Sequence, residues 1–304
     1  MSGSSLHGLS GAVFALLAPV IEPGFFSSEV VHVAIVVGAV VAIVSGTVGV
    51  FTVIRGQSFA GEALGDIGTT GGSGAFLVGV GPLLGFLVIG VVAAGAMEMI
   101  GIQRARGRDL ATGMVLGAGL GLAALLLYLD STVHNTTGAT FTILFGSVFT
   151  VASSTIPLIV LLSVVVLAIV FALYRPLLLS SISAEMAAAR GIHVRALGGA
   201  YLLALALAVA LASMTIGTIL STALLVGPAA SALRLTRRPS HAIALAGSIG
   251  VAAMWLGILL AYDSFSWPPV QTGWPVSFFV VTLILIVYLL SGLPRLLRTR
   301  TRAV

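Results

Sequence analysis

Glu62 and Asp66 stand four residues apart, so on a helix they share one face, one turn above the other. Around them lie Gly61, Gly65, Gly68, Gly71, Gly72 and Gly74, with hydroxyls from Thr69, Thr70 and Ser73. Two carboxylates with hydroxyl neighbours form an oxygen-only donor set. Such a set suits hard or borderline divalent cations, Mn(II) before a thiolate-seeking metal. The competing reading makes Ser58 to Gly74 a cytoplasmic or re-entrant loop with solvated acids, which would remove the site. Glu98, a third acid in an apolar run, either snorkels or pairs with Arg104 or Arg106. His134 follows Asp130 in a polar stretch and is a candidate only for receiving a metal. His32 stands at the external start of the first apolar run, and His7, His193 and His241 carry no ligand-like spacing.

Several chemistries are excluded outright. The chain has no cysteine, which removes disulfides, thiolate metal sites and thiol catalysis. All 14 basic residues are arginine, so the lysine that a Walker A phosphate loop needs is missing. No HExxH or GxSxG motif is present, and the scattered serines are ordinary helix-packing residues. The chain reads as a non-enzyme. Asn135-Thr136-Thr137 matches a glycosylation sequon, a three-residue pattern that chance supplies often.

The elements that position these residues must live in lipid. Of 304 residues, 59% are hydrophobic and only 8% charged, far below the usual quarter. Net charge is +5, but the arginines fall in short clusters between apolar runs, the pattern of cytoplasmic loops rather than of a nucleic-acid surface. Apolar runs near the roughly 20 residues that cross a bilayer are Val30 to Ile54, Pro82 to Ile102, Leu110 to Leu129, Thr155 to Tyr174, Leu197 to Ser213, Ile216 to Leu233, Ala242 to Tyr262 and Pro275 to Leu293. The expected fold is an all-α polytopic transmembrane bundle of eight or nine spans.

Charge decides between eight and nine. Arg55 ends the first run and Arg104, Arg106 and Arg108 follow the second, and the positive-inside rule wants both clusters on one side. One crossing between them cannot do that. A ninth span over Ser58 to Val80 closes the topology, with every arginine inside, Glu22, Glu29, Asp130 and Asp263 outside, and the C-terminus in the cytoplasm. Trp267 and Trp274 then sit at the external interface. The expected organisation is an N-terminal segment 1–29, partly interfacial over Leu6 to Ile21, a permease domain 30–293, and a basic cytoplasmic tail 294–304. Membrane cost directs attention back to Glu62 and Asp66: a charge at helix centre costs about 2.5–3.5 kcal/mol even on insertion scales, so such residues face a bundle interior or a hydrated path.

Thirty-seven glycines imply helices that approach through small residues. Gly113, Gly117 and Gly121 recur every four residues and are expected to serve bundle packing, or else a dimer seam. Between the fifth and sixth apolar runs, Ser183 to Val194 (SAEMAAARGIHV) reads as an alanine-rich helix with a glycine stop on the arginine side.

Together these stretches resemble a permease of the ABC metal-uptake family. Val48 to Gly79 is similar to that family's first-span end and following helix, Arg106 to Val115 to its short cytoplasmic loop, and Ile143 to Ser153 to its "lfGsl..vs" stretch. Ser183 to Gly191 resembles the coupling-helix pattern D-x-E-x-A-x-x-x-G, and Ile216 to Ala232 resembles "vG.ll..alLi.Paa.A". The resemblance implies a type II ABC importer-like permease that moves manganese, zinc or iron. It implies a second permease copy, a pair of ATP-binding subunits holding ATP and Mg, and an extracytoplasmic metal-binding protein; this chain itself holds no cofactor. Carried over residue by residue, Glu185, Ala187 and Gly191 are the coupling positions, with Ser183 where the family has aspartate. Glu62 matches the second helix's acid, while Asp66 replaces the expected histidine and hardens the site. A secondary transporter using Glu62 and Asp66 for protons or sodium is the alternative, and a non-transporting scaffold is a third.

Overall fold

The computed structural model describes residue 25 and residues 28–100, 105–133, 137–146, 148–266 and 273–300. Leu6 to Ile21, His7, Arg104, His134, Asn135 and Trp267 lie outside these. The described residues form twelve α-helices and no strand. They are α1 Glu29–Ile54, α2 Ser58–Leu77, α3 Pro82–Ile100, α4 Ala105–Val133, α5 Thr137–Phe145, α6 Ile156–Ala172, α7 Tyr174–Ile182, α8 Ala184–Ala189, α9 Val194–Ile216, α10 Thr218–Leu235, α11 Pro239–Asp263 and α12 Val276–Arg300. At 1.5 Å per residue, the nine helices of 17 to 29 residues are each long enough to approach or exceed the hydrocarbon thickness. Seven of them are long and apolar enough to cross a membrane; α12 contributes a shorter apolar stretch, Val276–Gly292, and α2 is not among the seven.

These helices are apolar on nearly every side, so hydrophobic periodicity cannot choose their contacts. Small residues do. A methyl group at Gly46 of α1 would lie 2.9 Å from the Ala246 carbonyl carbon of α11, and one at Gly49 would overlap the Leu225 carbonyl oxygen of α10. At Gly71 of α2 and Gly85 of α3 the clash is reciprocal, each methyl striking the other's carbonyl oxygen. A methyl group at Gly119 of α4 would instead meet the Ile67 side chain of α2, 2.6 Å from Cγ1. Backbones therefore touch where glycine permits it. Helices α1 and α9 form the buried centre, while α4 and α6 lie at the edge.

Four features differ from the sequence expectation. Gly113, Gly117 and Gly121 meet nothing within 4 Å among the described residues, so this stripe packs against none of the described helices; Gly119, off the stripe, does the packing. Helix α5, nine residues long, was absent from the expected elements and is too short to span. It ends at Gly146, whose φ of +67° places it against Gly217 (φ +84°), the break between α9 and α10. The expected helix over 183–194 is only Ala184–Ala189, because Gly191 turns left-handed at φ +78° and Val194 already begins α9. Finally, α12 continues to Arg300, through the segment expected as a separate tail.

Candidate functional site

Helix α2 begins after a tight turn at Arg55-Gly56-Gln57, where Gly56 takes φ +63° and the Gln57 amide donates to the Thr52 carbonyl. Ser58–Leu77 is one continuous helix rather than a loop. Its buried residues are mostly glycine, alanine, threonine and serine, and it is enclosed by α3, α4, α9 and α10. Low hydropathy and close enclosure share one cause: small side chains admit neighbouring backbones. Thr70 turns its hydroxyl to the Gly119 carbonyl of α4 at 2.8 Å.

Only one strip of α2 stays open, and it carries the acids. Glu62 is exposed and Asp66 half-buried, beside exposed Phe59. They stand one and two turns from the start of α2, roughly 6 and 12 Å along it. Glu62 lines a 490 Å³ groove between α2, α10 and α12, walled by Phe59, Val226, Leu285 and Tyr288; Asp66 lies one turn beyond. At the groove's end the Arg234 guanidinium stacks 3.7 Å from the Tyr288 ring centroid and also hydrogen-bonds its hydroxyl. Among the described residues no three His, Asp or Glu side chains converge as a metal cluster. One chain thus brings two carboxylates, fewer donors than a divalent transition metal takes.

A second constellation lies at the other expected location. Ser183 caps α8, its hydroxyl accepting from the Met186 amide at 3.2 Å, so serine does the work expected of aspartate there. Glu185 is exposed in the first turn, Ala187 is fully buried, and its carbonyl accepts from the Arg190 and Ile192 amides. Ile182 and Met186, 78% and 51% exposed, place apolar surface beside Glu185.

Behind this helix lies a seam that the sequence reading missed. Arg55, at the end of α1, donates from Nη1 to the Ser180 hydroxyl of α7 at 2.8 Å and stacks 5.3 Å from the Tyr201 ring of α9. The buried Tyr201 hydroxyl lies 2.7 Å from the Thr52 hydroxyl, and both reach the Val48 carbonyl. A 190 Å³ polar cavity walled by Arg55, Gln57, Glu98, Ser180 and Ser181 separates α7 from the α1–α2 turn. At its side Glu98 lies 3.8 Å from Arg195, a partner not among those expected; the Arg106 side chain lies outside the description. A polar residue at a helix end, such as Arg55, was legible only as a topology marker, since its partners lie more than a hundred residues away.

Nine long helices, an acid-bearing glycine-rich helix open to a groove, and a short capped helix at the arginine-rich end define a polytopic membrane permease. The chain belongs to the ABC 3 transport family, which residues 27–291 match. It is 30% identical over 239 residues to the manganese transport system membrane protein MntC of Listeria monocytogenes, covering 79% of this chain and 84% of that one. It is 24% identical to the high-affinity zinc uptake system membrane protein ZnuB of Haemophilus influenzae, over 80% of this chain and 92% of that one. Among solved structures, PsaBC from Streptococcus pneumoniae in complex with Fab superposes with a TM-score of 0.74 at 25% identity, over 88% of this chain and 93% of that one. An inward-facing putative metal-chelate type ABC transporter shares the fold, with a TM-score of 0.68 at 17% identity over 89% of this chain and 86% of that one.

Proposed function

We propose that this chain is the permease subunit of an ATP-driven importer in the plasma membrane, moving a divalent transition metal into the cytoplasm. Manganese is the preferred cargo among manganese, zinc and iron. The observation that carries this reading is the exposure of Glu62 beside half-buried Asp66 on an otherwise enclosed helix. Oxygen-only ligation, without the histidine of the resembled motif, selects a harder ion. The manganese transport relative supports the same cargo. Two carboxylates do not complete a coordination shell, so a second copy of the chain, with waters, supplies the remaining donors across a shared conduit. Weak sequential ligands then release the ion, and an extracytoplasmic metal-binding protein confers tight selectivity.

ATP and Mg are held by a partner ATPase pair, and the C-terminus is cytoplasmic. The α8 segment takes up the ATPase motion: Glu185, Ile182 and Met186 present the docking face, while Ala187 and Gly191 fix its shape. Through Ser180, Arg55 ties α7 to the turn from which α2 starts, giving the movement a direct route to the acids. The test is uptake of radioactive manganese by the assembled importer carrying Glu62→Gln with Asp66→Asn. Uptake is expected to be abolished at unchanged membrane abundance and ATPase association. Normal uptake would remove both residues from the path.

A further inference from the structure

A groove on a separate flank of the bundle, between α1, α6 and α11, has a composition that changes along its length. Its deeper section, 740 Å³, is walled by Ile43, Phe171, Gly247 and Trp255; a 560 Å³ section continues from it through Phe171, Ile243 and Ser240 to Tyr174 and Arg175. From Ser240 to Trp255 the groove follows fifteen residues of α11, about 22 Å at 1.5 Å per residue. That equals the depth of one leaflet from headgroups to midplane, half of about 40–45 Å. The Trp255 indole, a group that ordinarily seeks the membrane interface, donates to the Ile35 carbonyl at 3.2 Å and so presents an apolar ring as the inner wall. Charge is confined to the mouth; in the deeper section the polar side chains are hydroxyls, such as Ser248, which donates to the Ala244 carbonyl. Arg175 is exposed there and makes no ion pair among the described residues; Arg237 and Arg238 are exposed just before α11, and no acid lines either section.

We propose that this groove is a specific site for one anionic phospholipid, its phosphate held by Arg175 and Ser240 and one acyl chain lying toward Trp255. Charge complementarity selects the occupant, because juxtamembrane arginines attract anionic headgroups, each by an amount equivalent to about fivefold in binding. The leaflet is the one at the arginine-bearing face, cytoplasmic under the topology proposed above, but the site itself is independent of the cargo.

Native mass spectrometry of the full chain in mild detergent, titrated with phosphatidylglycerol or phosphatidylethanolamine of matched acyl chains, tests this. Phosphatidylglycerol should bind about fivefold more tightly. Arg175→Gln should bring the two lipids close to parity, and Ala252→Trp, at an exposed position on the groove wall, should reduce binding of both. Ala244→Trp on the same wall provides a second plug. Free glycerol phosphate should not displace the lipid. Equal binding in the wild type, an unchanged preference in Arg175→Gln, full binding in both tryptophan variants, or displacement by glycerol phosphate would each overturn the proposal. So would disulfide-linked dimers of Ala252→Cys, which would place a second copy in the groove.

Discussion

Replacing Gly71 by alanine should disable transport without touching an ion ligand. The added methyl group would lie 2.6 Å from the Gly85 carbonyl carbon, where ordinary contact begins at 3.4 Å, and would overlap the carbonyl oxygen outright. Backbone atoms cannot rotate away as a flexible side chain can, so α2 and α3 must part by about 0.8 Å at that carbon and by more at the oxygen. Overpacking of this kind costs about 1–3 kcal/mol, and a misplacement near 1 Å can cost a hundredfold in a function that depends on geometry. Gly113→Ala is the matched control, because none of the described residues lies within 4 Å of its methyl position. Manganese uptake, with melting temperature measured by size-exclusion recovery after heating, gives both readouts. Gly71→Ala is expected to lose at least tenfold in uptake and several degrees of stability, while Gly113→Ala changes neither. Equal behaviour of the two variants would refute the claim that glycine contacts hold the acid-bearing helix in place.

Three further outcomes follow from the arginine-bearing end. Arg55→Ala removes a charge-assisted hydrogen bond to Ser180, worth about 1.5–3 kcal/mol, and should cut transport ten- to a hundredfold while ATP hydrolysis by the complex continues; parallel loss of hydrolysis and transport would contradict the coupling route. Ser183→Ala should weaken ATPase co-purification through about 1 kcal/mol of lost capping, and Ser183→Asp should restore it. Gly191→Ala forces a side chain into φ +78°, costing about 1–2 kcal/mol, and should lower coupling efficiency in reconstituted vesicles, with Gly191→Pro worse.

How far the sequence carried depended on the kind of signal. Span positions were legible because apolar runs of membrane length have few alternative fates, and the charge pattern around Arg55 and Arg104 anticipated the helix at Ser58 despite its low hydropathy. That Glu62 and Asp66 lie four residues apart on one helix was legible from their spacing. Contacts were not. Gly113, Gly117 and Gly121 have the helical stripe expected of a packing face, yet Gly119, Gly71 and Gly85 make the close approaches, because glycine marks where contact is possible and only tertiary geometry chooses. Helix α5 was missed because nine residues ending at a left-handed glycine resemble a loop in sequence. The Arg55–Ser180–Tyr201 seam joins positions 125 and more residues apart, beyond any local pattern.

The central claim, that α2 presents its acids to the conduit, is tested most directly by labelling. The chain has no native cysteine, so Asp66→Cys is a unique target within it. Membrane-impermeant thiol reagents are then applied from each side, with the ATPase nucleotide-free or trapped with nucleotide. The account predicts that the accessible side switches with nucleotide state and that manganese slows labelling in an otherwise intact Glu62 background. Free labelling from the cytosolic side in every state would contradict it.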